Sequence, residues 1–135
     1  MDAFDADVLI YAAAVDHPLG RRVAALLRGS GPFMGSVLLL PELLAKPLRE
    51  GGENAPEVLH LATLLARLEL RPLDLHTAQL ATELARHHRL RAADATHLAT
   101  AVATGAQRFL TNNRRDFPRS IDEIDVVYPE DLPEG

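Results

Sequence analysis

Short apolar runs that alternate with helix-patterned stretches are the feature of this chain that leaves the fewest folds open. The runs are Ala3 to Asp5, Pro32 to Ser36, Leu70 to Leu73, Arg108 to Thr111 and Asp125 to Tyr128, each about one strand long. Between them, Val8 to Ala14 reads as helix. A second helix starts at His17-Pro18, with Val23, Leu26 and Leu27 as its apolar face and Gly29 near its stop. Leu38 to Leu48 follows, with Pro41 tolerated if it lies in the first turn. Pro56 opens a helix in which Leu61, Leu64, Leu65 and Leu68 recur at helical spacing, and Val58 to Leu68 reads as a core or dimer stripe. Thr77 to His88 and Ala92 to Thr104, closed by Gly105, complete the set. This order predicts an α/β fold of three layers, α/β/α, with a central parallel sheet of four to five short strands and helices on both faces.

The 135 residues suit one domain, 1–135, with a sizeable core. The longest polar, breaker-rich stretch, Arg49 to Pro56, is too short for a domain linker and reads as a loop. No apolar run approaches the roughly 18 residues a membrane helix needs, and no signal-peptide pattern is present. A cytoplasmic location is the expectation. The absence of cysteine excludes disulfides and thiolate metal sites.

Against this apolar pattern four acids stand out. Asp5 sits between Phe4 and the run Val8 to Ile10; Glu42 lies in Leu40-Pro41-Glu42-Leu43-Leu44; Asp94 in Ala92-Ala93-Asp94-Ala95; Asp116 in Arg115-Asp116-Phe117. Charged groups are rarely buried without a partner. If the fold gathers these acids, they repel one another unless cations neutralise them. In open parallel sheets, sites form outside the carboxyl ends of the strands. Asp5 ends the first strand candidate, Thr111 to Asp116 follow a later one, and Glu42 and Asp94 fall near helix starts. The pattern permits a divalent-metal site without forcing one, and each acid taken alone also reads as a helix cap or a solvent-facing charge.

Four segments in this order resemble the PIN-domain ribonucleases, and especially the bacterial VapC-like toxins. They are Asp5-Ala6-Asp7-Val8-Leu9-Ile10-Tyr11; Ser36 through Glu42-Leu43-Leu44; Ala93-Asp94-Ala95-Thr96-His97-Leu98-Ala99; and Leu110-Thr111-Asn112-Asn113-Arg114-Arg115-Asp116-Phe117. The resemblance implies a metal-dependent endoribonuclease of a toxin–antitoxin pair. Asp5, Glu42, Asp94 and Asp116 would then hold magnesium or manganese, which suit hard oxygen ligands. Ser36, Thr111 and Asn113 would be polar supports. The resemblance also implies an RNA substrate, a small VapB-like antitoxin that plugs the acidic pocket with a basic side chain, and a homodimer.

The chain departs from that pattern at three places. Asp7 stands where relatives carry Asn, adding a carboxylate that could support the site, contact a metal or face solvent. Asn113 stands where many relatives carry an acid, so the fourth acidic role falls to Asp116. Pro41 directly precedes Glu42. His97, three residues after Asp94 on one helix face, reads as a packed, hydrogen-bonded histidine rather than a ligand or general base. His87 and His88 read as surface residues.

The formal net charge of −5 argues at first against a nucleic-acid partner. Local patches can oppose a global charge, however. Arginine supplies 13 of the 14 basic residues, clustered at Arg21-Arg22, Arg86 to Arg91 and Arg108 to Arg119. Its planar fork suits phosphate. Arg86, Arg89, Arg91, Arg114 and Arg115 are the candidates for RNA contact, and solvated helix faces are the plain alternative.

Two other readings compete. Asp5-Ala6-Asp7-Val8 also fits the nucleophile motif of haloacid-dehalogenase-like phosphatases. That family needs a lysine and further acids after its threonine, whereas Lys46 lies far upstream and only 24 residues follow Thr111. A receiver-like phosphorylation module fails for lack of the same lysine. The third reading is a catalytically silent PIN-like RNA-binding or scaffold module, which retention of all four acids disfavours.

Overall fold

Five strands are all parallel: β1 (Asp2–Phe4), β2 (Phe33–Ser36), β3 (Glu69–Arg71), β4 (Arg108–Leu110) and β5 (Asp125–Val127), in the order β3-β2-β1-β4-β5. Among the described residues six helices accompany them: α1 (Ala6–Ala13), α2 (Pro18–Leu27), α3 (Leu39–Gly51), α4 (Pro56–Leu65), α5 (Leu75–His88) and α6 (Ala92–Thr104), with a 3₁₀ turn at Pro129–Asp131. The computed structural model describes residues 1–14 and 16–135.

Side chains alternate across the sheet, as the pleat dictates. Ala3, Met34, Phe109 and Val126 face one core, with Leu84 of α5 and Leu98 of α6. Phe4, Phe33, Leu110 and Val127 face the other, with Leu9, Val23, Leu43 and Leu61 of α1 to α4. The result is the three-layer α/β/α arrangement. Val58, Leu61 and Leu65 are buried, so the stripe on α4 is core, while Leu59 on the same helix is exposed.

The ends of several elements show what local pattern leaves out. Helix α3 continues three residues beyond Leu48, to Gly51, through Pro47. Proline there forfeits a backbone hydrogen bond, but Leu39, Leu43 and Pro47 form one buried face, and that packing carries the helix onward. Pro41 sits in the first turn, where a missing N–H costs nothing. Strand β3 stops at Arg71, before Pro72, rather than reaching Leu73. Helix α5 starts at Leu75 rather than Thr77, because the Asp74 carboxylate accepts from the Thr77 N–H at 2.8 Å and caps it. His17 caps α2, its Nδ1 accepting from the Leu19 N–H at 3.2 Å.

One glycine is indispensable to the packing of α1 on α2. A Cβ at Gly20 would lie 1.9 Å from the carbonyl oxygen of Tyr11. Only glycine lets the two helices approach this closely.

The topology fixes where a site can form. The chain builds outward from β1 to β2 and β3, then returns to place β4 on the other side of β1. The switch point is therefore the crevice at the carboxyl ends of β1 and β4, where Asp5 and Thr111 stand.

Candidate active site

Asp5 follows β1 directly and is the N-cap of α1, so strand end and helix start meet in one residue. It is 5% exposed. Its backbone N–H donates to the Leu110 carbonyl at 2.9 Å, tying it to β4. Its Oδ1 accepts from the Ala6 N–H at 2.9 Å, and its Oδ2 accepts from the Thr111 hydroxyl at 2.8 Å. The Thr111 oxygen accepts in turn from the Asn113 N–H at 3.1 Å. The Asn113 amide donates to Asp116 Oδ2 at 3.0 Å, and the Asp116 N–H donates back to Asn113 Oδ1 at 3.3 Å. A continuous relay thus runs from Asp5 through Thr111 and Asn113 to Asp116.

The other acids arrive from two helices. Asp94, in the first turn of α6, is half-buried, and its carboxylate accepts no hydrogen bond from the described residues. Glu42, in the first turn of α3, pairs with His97 of α6, whose Nε2 donates to Glu42 Oε1. Ser36 lies at the end of β2 with its oxygen accepting from the Leu38 N–H at 3.1 Å; it shapes the entry to α3 and touches none of the acids by hydrogen bond. Asp7 turns one oxygen to the Asn112 N–H at 3.0 Å, while its Oδ1 is buried with no partner.

The charges of these groups act on one another. Burial raises Asp5 above the usual carboxylate range; the His97 ring and the hydrogen bonds from Thr111 and Ala6 oppose this, and Glu42 adds to it. Asp7 is pushed up to about 7, by burial first and by Asp5 next. Asp94 is raised by partial burial, then by Asp5, Asp116 and Glu42, with His97 opposing. The four acids named from sequence, and Asp7 with them, are therefore near enough for their charges to act on one another. None of the five pairs with a lysine or arginine among the described residues.

The chemistry of this donor set fits a hard divalent cation. It offers only carboxylate oxygens and carries an excess of negative charge that, among the described residues, only the His97 ring opposes. The spacing is that of acids held apart: among the described residues, no three His, Asp or Glu side chains converge closely enough to hold one ion.

The arginines divide into two groups. Arg86 is engaged by Glu83 at 2.9 Å, and Arg114 by Glu130 at 2.7 Å while lying over the Tyr128 ring. Arg89, Arg91 and Arg115 are exposed and form no ion pair with the described residues. Arg91 is the N-cap of α6, three residues before Asp94, and Arg115 adjoins Asp116, so unpaired positive charge borders the acids. His87 is exposed, whereas His88 is half-buried and bridged to Glu123 at 2.8 Å. Two partners escaped the sequence reading, the Glu42–His97 pair and the Asn112 N–H on Asp7. The His97 ring was legible as packed, but no local pattern names a partner 55 residues away.

The family model described as PIN domain matches residues 3–122. Three solved structures share the fold. One is a toxin-antitoxin complex from Klebsiella pneumoniae, 21% identical, with a TM-score of 0.76, covering 96% of this chain and 98% of that one. Another is VapBC2 from Rickettsia felis bound to a DNA fragment from its promoter, 19% identical, TM-score 0.73, covering 94% and 97%. A third is VapC20 of Mycobacterium tuberculosis, a toxin that cleaves the sarcin-ricin loop, 18% identical, TM-score 0.68, covering 93% and 99%. No curated protein sequence matches the chain.

Proposed function

The chain belongs to the PIN domain family, and from that premise we propose that it is a metal-dependent endoribonuclease, the toxin of a VapBC-type pair. One observation carries the reading. Four acids from four separate segments, Asp5, Glu42, Asp94 and Asp116, act on one another's charge near the topological switch point, and none of them pairs with an arginine or lysine among the described residues. Such an arrangement costs folding free energy. It is explained if a cation and a phosphodiester complete it.

In this reading Asp5, Glu42, Asp94 and Asp116 hold magnesium or manganese. When bound, the ion supplies a Lewis acid that offsets phosphate charge and activates water for attack on phosphorus. The protein's own part is positional. The Thr111 hydroxyl and the Ala6 N–H hold both oxygens of Asp5, and Asn113 fixes Asp116. Asp94, whose carboxylate accepts no hydrogen bond from the described residues, is the carboxylate most available to a cation. Asp7 adds a further negative charge beside Asp5. Arg89, Arg91 and Arg115 draw the RNA backbone to the rim, with Arg86 and Arg114 adding charge despite their pairing, since exposed ion pairs are weak.

The solved VapBC and toxin-antitoxin structures support a small antitoxin as partner. An apolar groove between α1 and α4, lined by Ala12, Ala13, His60 and Leu64, suits an apolar partner segment, and α1 and α4 also carry the exposed Ile10 and Leu59. We place the whole of 1–135 in one catalytic domain, working as a homodimer. No helix among the described residues is long and apolar enough to cross a membrane.

Cleavage of total cellular RNA by purified, antitoxin-free protein tests the proposal. Discrete fragments should form with manganese or magnesium and vanish with chelator and with Asp5→Asn. Absence of cleavage despite measurable metal binding would favour a silent PIN-like binding module, the second reading, which the separation of the acids supports. Absence of metal binding would sink the acidic centre.

A further inference from the structure

Glu42 differs from the other acids of the pocket in how it is held. Asp5 is fixed by β1, α1 and Thr111, and Asp116 by Asn113. Glu42 has no such local support. It follows Pro41 in the first turn of α3, whose N-cap, Leu38, supplies no side-chain acceptor. Its side chain is 33% exposed, and its single anchor among the described residues is the ring of His97. We propose that His97 is a positioning residue for Glu42, holding Oε1 so that Oε2 is the oxygen this carboxylate offers to a divalent cation. The inference rests on the metal-centre reading above.

Three observations carry it. The ring is 1% exposed, against 33% for its partner, so the rigid member of the pair is the histidine and the carboxylate follows it. The ring nitrogen Nδ1 is buried with no partner. A proton there would be an orphaned buried N–H, which proteins avoid more strictly than an unused lone pair, so the proton belongs on Nε2, where Glu42 accepts it. Finally, His97 follows Asp94 by three residues on α6, and residues 95 to 101 of that helix are buried. Positions three apart share a helix face. One rigid helix therefore presents Asp94 directly and steers Glu42 through an imidazole, joining α3 to α6 across 55 residues of sequence. Groups that orient a ligand in this way tune metal affinity without touching the metal.

Manganese binding to the purified full chain, read from the electron paramagnetic resonance signal of free Mn²⁺, tests the assignment without any activity measurement. His97→Leu, which keeps an apolar core but removes the donor, should weaken binding about 10- to 100-fold. His97→Gln, whose amide can donate from near the place of Nε2, should restore affinity to within roughly threefold of the parent. His97→Asn, too short to reach, should behave like the leucine variant and serves if that one fails to fold. In a Glu42→Gln background, His97→Leu should cause no further loss. A role in packing alone would lower the melting temperature without separating Gln from Asn in metal affinity. Parent-like binding by His97→Leu or His97→Asn, or a loss that persists in the Glu42→Gln background, overturns the proposal and leaves the metal centre standing. Failure of the parent to bind manganese overturns both.

Discussion

The two ends of β1 carry the same side chain and treat it in opposite ways. At the amino end, Asp2 meets Arg108, the first residue of β4, through two hydrogen bonds of 2.8 Å each. Three residues later, at the carboxyl end, Asp5 is more deeply buried and is surrounded by Asp7, Asp94 and Glu42. One end carries its own cation in the chain. The other collects acids and supplies only an imidazole. An edge that serves structure is neutralised internally, while an edge that serves chemistry leaves its charge for something that arrives from outside.

The largest effect expected on this contrast is at Asp94. Asp94→Asn should lower RNA cleavage by on the order of 10²–10³-fold, the usual scale for losing one group that stabilises transition-state charge. It should leave the circular dichroism spectrum unchanged and abolish growth arrest on expression. Undiminished cleavage would remove Asp94 from the chemistry.

The acidic edge should also make stability depend on pH in an unusual direction. Asp7 is raised to about 7, and Asp5 and Asp94 are raised as well. Between about pH 4 and 7 the folded chain then binds more protons than the unfolded chain, so unfolding free energy falls as pH rises through this window. In chelator, denaturation at pH 5 and pH 8 should differ by on the order of a few kcal/mol from these groups, with the acid side more stable. Saturating manganese should flatten the difference by stabilising the charged form. A metal-free chain whose stability rises from pH 5 to 8 would contradict the crowding of the acids.

Breaking the neutral edge should have a smaller and separable result. Asp2→Ala leaves Arg108 without its partner and should cost about 1 kcal/mol, since both groups keep some contact with solvent. That corresponds to a fall of about 3 °C in melting temperature for a chain of this size. Manganese affinity should not change, and if it does, the two edges are coupled through β1. Smallest of all, Arg91→Ala and Arg115→Ala should each weaken RNA binding severalfold and reduce the salt slope by about 0.7. Fluorescence anisotropy over a salt series with the Asp94→Asn background measures both without turnover.

Much of the fold was readable because periodicity is a local property. The positions of the strands, to within one or two residues at their ends, and the full extent of α6 followed from apolar spacing and from Gly105, which closes that helix in the left-handed conformation. The last turn of α3, Arg49 to Gly51, was not readable, since those residues open a polar, breaker-rich stretch and the helix continues there on a buried face packed against α4. The site divides along the same line. The acids were conspicuous as charges inside apolar runs. Two of their partners were not: His97 lies 55 residues from Glu42, and the Asn112 N–H lies 105 from Asp7. A sequence shows which groups need a partner, and the topology decides which groups are near enough to serve.

The close crossing of α1 and α2 has a consequence for genetics. Any side chain at Gly20 must push α2 away from the Tyr11 carbonyl, and Asp5 caps the start of α1. Selection for cells that survive induction of this chain would therefore recover substitutions at Gly20 alongside those at the acids. Survivors of that kind report on the scaffold that aims the carboxylates and should be sorted from true active-site alleles by their lowered melting temperature.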